Sequence, residues 1–104
     1  MSERILFRDV KPYDTPTTLH ALQGPAGGIL ELPLAAYWGP NPVVDLDTFD
    51  GVDKAYTALI SNGRTSDQEA LMNRDRLIAV WPELALPARA QSIWESRFPE
   101  LQAS

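Results

Sequence analysis

The sequence predicts an α+β fold, with a small antiparallel sheet of two or three strands from the N-terminal half packed by three to four short helices from the C-terminal half. Three observations point that way. Residues 1–47 break into short apolar runs separated by glycine-proline turns, apolar residues take up helical spacing from Asp47 onward, and nine prolines keep each element short. A chain of 104 residues has room for one core and so predicts one domain, 1–47 mainly strand and turn with one short helix and 48–101 helical. An apolar fraction of 44% with 22% charged residues suits a folded chain better than a disordered one.

Taken in order, Ile5-Leu6-Phe7 is a short apolar run able to supply a third strand. Thr15-Pro16 reads as an N-cap followed by proline in the first helical position, where the missing N–H costs nothing, and predicts a two-turn helix through Leu19 and Leu22. Gly24 to Gly28 is a turn. Ile29 to Leu32 is strand-like, cut by Pro33 and extended past it on an edge by Leu34 to Trp38. The turn Trp38-Gly39-Pro40-Asn41-Pro42 then leads to a returning strand at Val43 to Leu46, through a connection of about five residues.

Asp47 or Thr48 can cap a helix whose Val52, Tyr56, Leu59 and Ile60 share one side, stopped by a left-handed Asn62-Gly63 end. Ser66 and Glu69 have the spacing of a reciprocal capping box ahead of a short helix through Leu71 and Met72. Asn73 offers a cap for Arg74 to Trp81, an apolar run that should be buried and that Pro82 ends. Leu86-Pro87 opens a last helix with Ala90, Ile93, Trp94, Arg97 and Phe98 three and four residues apart, stopped by Pro99.

The chain is poor in the residues that catalysis needs. It has no cysteine and a single histidine, His20, so disulfides and thiolate metal sites are excluded and no metal or other cofactor is expected. A serine nucleophile would need a histidine held by a third group, and His20 has only Asp14 nearby in sequence. Asp45, Asp47, Asp50 and Asp53 resemble a carboxylate cluster. A calcium loop starting at Asp45 nevertheless requires glycine where Asp50 stands and glutamate where Tyr56 stands, so the cluster reads as a solvated strand end and helix N-terminus. Gly24, Gly27 and Gly28 are followed by no Gly-Lys-Ser/Thr and by a strand, which makes them a turn and no phosphate loop. The expectation is a protein that is no enzyme.

Charge narrows the partner. The net charge is −5, and the first half holds the excess, with three basic and seven acidic groups in residues 1–52 against six and seven in 53–104. No basic stripe is present to meet phosphates, so DNA binding by the lone chain is not expected. Charges interrupt the apolar residues at the N-terminus too soon for a signal-peptide core, and no apolar run approaches a membrane span, which predicts a cytoplasmic protein. What remains distinctive is aromatic: Trp81 and Trp94 read first as core and Trp38, at its turn, as evenly core or contact, while Trp94, Arg97 and Phe98 form a candidate partner-binding patch beside Trp38 if the last helix carries two apolar faces.

The stretches Pro12-Tyr13-Asp14-Thr15-Pro16, Trp38-Gly39-Pro40, Leu77 to Leu84 with Leu86-Pro87, and Trp94 to Leu101 resemble a family of small actinobacterial proteins. Members of that family are often encoded beside nucleotidyltransferase-like toxins of the AbiEii type. The resemblance implies an antitoxin that binds a cognate toxin directly, and it assigns a role to no individual residue. A small adaptor or phage-borne accessory protein, binding another host or structural protein, is the alternative reading.

Overall fold

A computed structural model describes residues 13–34, 36–37 and 39–102. The order is a 3-10 turn (Leu19–Ala21), β1 (Ile29–Glu31), β2 (Val43–Asp45), α1 (Phe49–Asn62), α2 (Thr65–Leu71), α3 (Arg74–Val80), a 3-10 turn (Trp81–Glu83), α4 (Ala88–Arg97) and a 3-10 turn (Pro99–Leu101). The α+β class is as predicted, with a two-stranded antiparallel sheet before four helices among the described residues. The third strand expected at Ile5 to Phe7 lies outside the described residues.

Ile29 pairs with Asp45, Leu30 with Val44 and Glu31 with Val43. Strand alternation then turns Leu30 and Val44 toward the core and Ile29, Glu31, Val43 and Asp45 outward. Both strands are shorter than the sequence suggested. Past Pro33 the backbone closes a turn, with the N–H groups of Ala36 and Tyr37 donating to the Pro33 carbonyl at 3.0 and 3.1 Å, so Leu34 belongs to a turn and extends no strand. The connection therefore runs over residues 32–42, twice the predicted length.

In α1, Val52, Ala55, Tyr56, Leu59 and Ile60 form one fully buried stripe at helical spacing, facing the inner side of the sheet. Thr48 caps it by accepting the Gly51 N–H at 3.0 Å. A Cβ on Gly51 would lie 1.9 Å from the Asp45 carbonyl oxygen, so glycine is what lets the helix start abut β2. The helix ends differently from the expectation: Gly63 has φ −74, and its N–H reaches the Leu59 carbonyl without a left-handed residue.

The start of α2 also departs from the sequence reading. It begins at Thr65, where Asp67 accepts the Arg64 N–H at 3.3 Å, while Glu69 accepts the N–H of Thr17 at 2.8 Å and takes no part in a capping box. The helix forecast after Thr15-Pro16 shrinks to a single 3-10 turn because this segment's hydrogen bonds go to α2. The hydroxyl of Thr65 donates to the Thr15 carbonyl, and Gln23 and Gly24 donate N–H groups to Glu69 and Met72. Gly24 sits so close to the end of α2 that a Cβ would meet Leu71 backbone at 2.1 Å. Gln68, the only buried polar residue among the described ones, donates its amide to the Asp14 carbonyl at 2.8 Å and the Leu59 carbonyl at 2.9 Å. It joins the N-terminal segment to the end of α1.

Asn73 caps α3 as predicted, accepting the Arg76 N–H at 2.9 Å, and its own N–H donates to the buried Tyr56 hydroxyl. The C-terminal part closes on an aromatic cluster. Trp81 and Trp94 stack at 6.2 Å, Phe98 meets Trp94 edge-on at 5.6 Å, and the Trp81 indole donates to Glu95 at 2.8 Å. Among the described residues, no helix is long and apolar enough to cross a membrane.

Candidate functional site: the outer face of the β-ribbon

The four residues proposed from sequence as partner-binding do not come together on the surface. Trp94 and Phe98 are core residues, exposed by 0% and 5%. Ala90, Trp94 and Phe98 recur every four residues and so form one stripe turned onto Trp81, and the second apolar face that the proposal needed is occupied by Arg89, Gln91, Ser92 and Ser96. Both assignments are corrected to structural roles. Arg97 is exposed, its guanidinium 5.9 Å from the Phe98 ring centre. Trp38 lies outside the described residues.

Exposed apolar side chains gather elsewhere. Among the described residues the large hydrophobics left in solvent are Ile29 (70%), Leu34 (75%), Val43 (45%) and Phe49 (43%), all from β1 to the first residue of α1. Ile29 and Val43 share the outer face of the ribbon with Glu31 and Asp45, in a checkerboard with each apolar side chain opposite a carboxylate. Asp47 and Asp50 follow at the end of β2 and in the first turn of α1, beside Phe49.

Nothing among the described residues neutralises these carboxylates. The chain from Lys11 to Lys54 carries Asp14, Glu31, Asp45, Asp47, Asp50 and Asp53 with no Lys or Arg between. Lys54 itself is committed, donating to the Asn41 carbonyl at 2.7 Å with its ammonium 4.6 Å from the Tyr37 ring centre. The sole ion pair among the described residues, Arg74 with Asp75, lies on α3. Asp45 and Asp47 hold backbone instead: Asp45 accepts the Asp47 N–H at 2.9 Å and Asp47 the Gly28 N–H at 3.2 Å, which pins the turn into α1 against the start of β1.

The backbone of the ribbon adds directional groups. In an antiparallel pair the residues exchanging N–H···O bonds alternate with residues whose N–H and C=O point away from the partner strand. Leu46 donates to the Gly28 carbonyl at 2.7 Å and Leu32 to the Pro42 carbonyl at 2.8 Å, which makes 28/46, 30/44 and 32/42 the bonded pairs. The N–H and C=O of Ile29 and Glu31 therefore point out along the β1 edge. The β2 edge is partly closed, because Val43 donates to the Asn41 side chain and the Asp45 carbonyl accepts both the N–H and the hydroxyl of Thr48.

Two other features bear on chemistry. A cleft of about 350 Å³ between Tyr37 and α1 is lined by Asp53, Lys54, Thr57, Ser61 and Asn62. His20 is exposed on its 3-10 turn, and among the described residues no three His, Asp or Glu side chains are placed to hold a metal ion. Sequence reasoning missed the ribbon face because it weighed aromatic residues. The strand alternation of Ile29, Glu31, Val43 and Asp45 carried the signal, once the pairing register was known. Compared with models of known protein families, with curated proteins and with solved structures, the chain matches none.

Proposed function

We propose that this chain is a protein-binding module that neutralises a basic partner by direct, stoichiometric binding, as an antitoxin set against a nucleotidyltransferase-like toxin. The observation that carries the reading is the outer ribbon face, where Ile29 and Val43 stay in water among carboxylates that no described cation pairs. Exposed apolar side chains gain free energy when a partner covers them, and unpaired like charges speed encounter with a surface of opposite sign. Enzymes that bind nucleotide or RNA present such basic surfaces. The acidity that suits a toxin's active-site mouth also repels DNA from the lone chain.

Co-expression with the neighbouring gene product tests the reading. The expected result is that the neighbour arrests growth alone, that this chain restores growth, and that the two copurify at 1:1. A harmless neighbour that forms no complex overturns the antitoxin and leaves the adaptor in its place.

A further inference from the structure

We infer that the β1 edge is a docking site for an extended basic segment of the partner, which joins the ribbon as an added strand. This rests on the protein-binding reading and specifies how the contact is made. The outward N–H and C=O groups of Ile29 and Glu31 supply four directional main-chain contacts at the spacing an added strand requires. No described residue pairs with them.

Chemistry selects the occupant. A strand laid beside β1 alternates its side chains with the same two faces as β1 itself. Its outward side chains lie next to Ile29 and Glu31, with Asp45 and Val43 one strand further across. Lysine or arginine there places its aliphatic stem over Ile29 and its charge beside the carboxylates. Its inward side chains extend the layer of Leu30, which packs on the core, and must be apolar. The segment that fits alternates basic and apolar residues. A second copy of this chain does not fit, because the same stretch of acidic residues without a cation would face itself.

The probe is a capped synthetic peptide, Val-Lys-Val-Arg-Val-Lys-Val, added to the full-length chain labelled with nitrogen-15 and followed by NMR to millimolar concentration. The added strand predicts shifts centred on the amides of Ile29, Glu31, Val43 and Asp45, with slowed exchange at Ile29 and Glu31. Two variants, one N-methylated at its lysines and arginine and one at its valines, keep every charge but each lose one hydrogen-bonding edge, so the variant blocked on the edge that faces β1 should lose the shifts. Glu31→Lys should weaken the unmodified peptide by about fivefold or more, since it converts an attractive lateral pair into a repulsive one. Equal binding of both methylated peptides shows charge attraction alone and overturns the added strand, as does the absence of shifts. Either failure leaves the neutralisation reading to its own growth-rescue test.

Discussion

Replacing Gln68 tests the joint that holds the N-terminal segment to the helices. Its side chain is fully buried, with the amide nitrogen at 2.8 Å from the Asp14 carbonyl and 2.9 Å from the Leu59 carbonyl, and its oxygen Oε1 has no partner among the described residues. Gln68→Leu removes these two short hydrogen bonds, each contributing about 0.5–1.5 kcal/mol net, and a long one of 3.5 Å to the Gly63 carbonyl. The Leu59 carbonyl keeps the Gly63 N–H at 2.9 Å, and loss of the unpartnered oxygen offsets part of the change. The expected cost is about 1–2 kcal/mol. Gln68→Glu keeps the volume but turns a carboxyl toward carbonyl oxygens, where it must be either a buried unpaired charge or an acid with a single O–H to donate. Its folded-state pKa is then raised above the unfolded value of about 4.3, so the folded chain holds the proton that the unfolded chain releases. The penalty is smallest below that value and grows with rising pH, passing about 3 kcal/mol near neutrality. Urea unfolding of both variants from pH 4 to 8 measures it. A glutamate variant as stable as the leucine variant at pH 7, or a gap that fails to narrow on acidification, refutes this account of Gln68.

Trp81→Ala and Trp94→Ala should each cost about 3–5 kcal/mol, lowering the thermal midpoint by at least about 12 °C, because each removes a ring from a buried stack; an unchanged midpoint contradicts the core assignment. Burial raises the Tyr56 phenol above its usual pKa, a shift that the Asn73 N–H and Arg76 only partly oppose. The unfolded phenol therefore ionises first, and the stability present below about pH 10 is lost as pH rises beyond it. Tyr56→Phe should flatten that alkaline decline in a series of thermal midpoints, and an unaltered slope would count against it. Gly51→Ala should destabilise by about 1–3 kcal/mol although alanine is the better helix former, since its Cβ collides with the Asp45 carbonyl; a raised urea midpoint would show that the β2–α1 junction yields.

The sequence was legible where one physical signal acted alone. The stripe of α1, a cap at Asp47 or Thr48 of which the fold takes Thr48, the Asn73 cap of α3 and the burial of Trp81 followed from local pattern. It misled where long-range partners decided. Thr15-Pro16 opens no α-helix because the following carbonyls and N–H groups bond to α2, and Glu69, read as half of a capping box, is drawn to Thr17. Neither contact leaves a trace in local spacing. The aromatic proposal failed on α4 for a related reason: Trp94 and Phe98 look alike as core or interface until Trp81 is seen to cover them. The ribbon face was hidden in a register that only the Gly28–Leu46 and Leu32–Pro42 bonds fix.

A calorimetric titration of the neighbouring gene product with the wild-type chain and with the double variant Ile29→Lys/Glu31→Lys asks whether the ribbon face meets the partner. Both side chains are exposed, so the variant's thermal midpoint should stay within about 4 °C of wild type, as surface substitutions away from special features cost little. Stoichiometric binding by the wild type that weakens with added salt is expected, with at least a tenfold rise in Kd for the folded double variant. Undiminished binding by that variant would contradict the claim that the ribbon face is where this protein meets its partner.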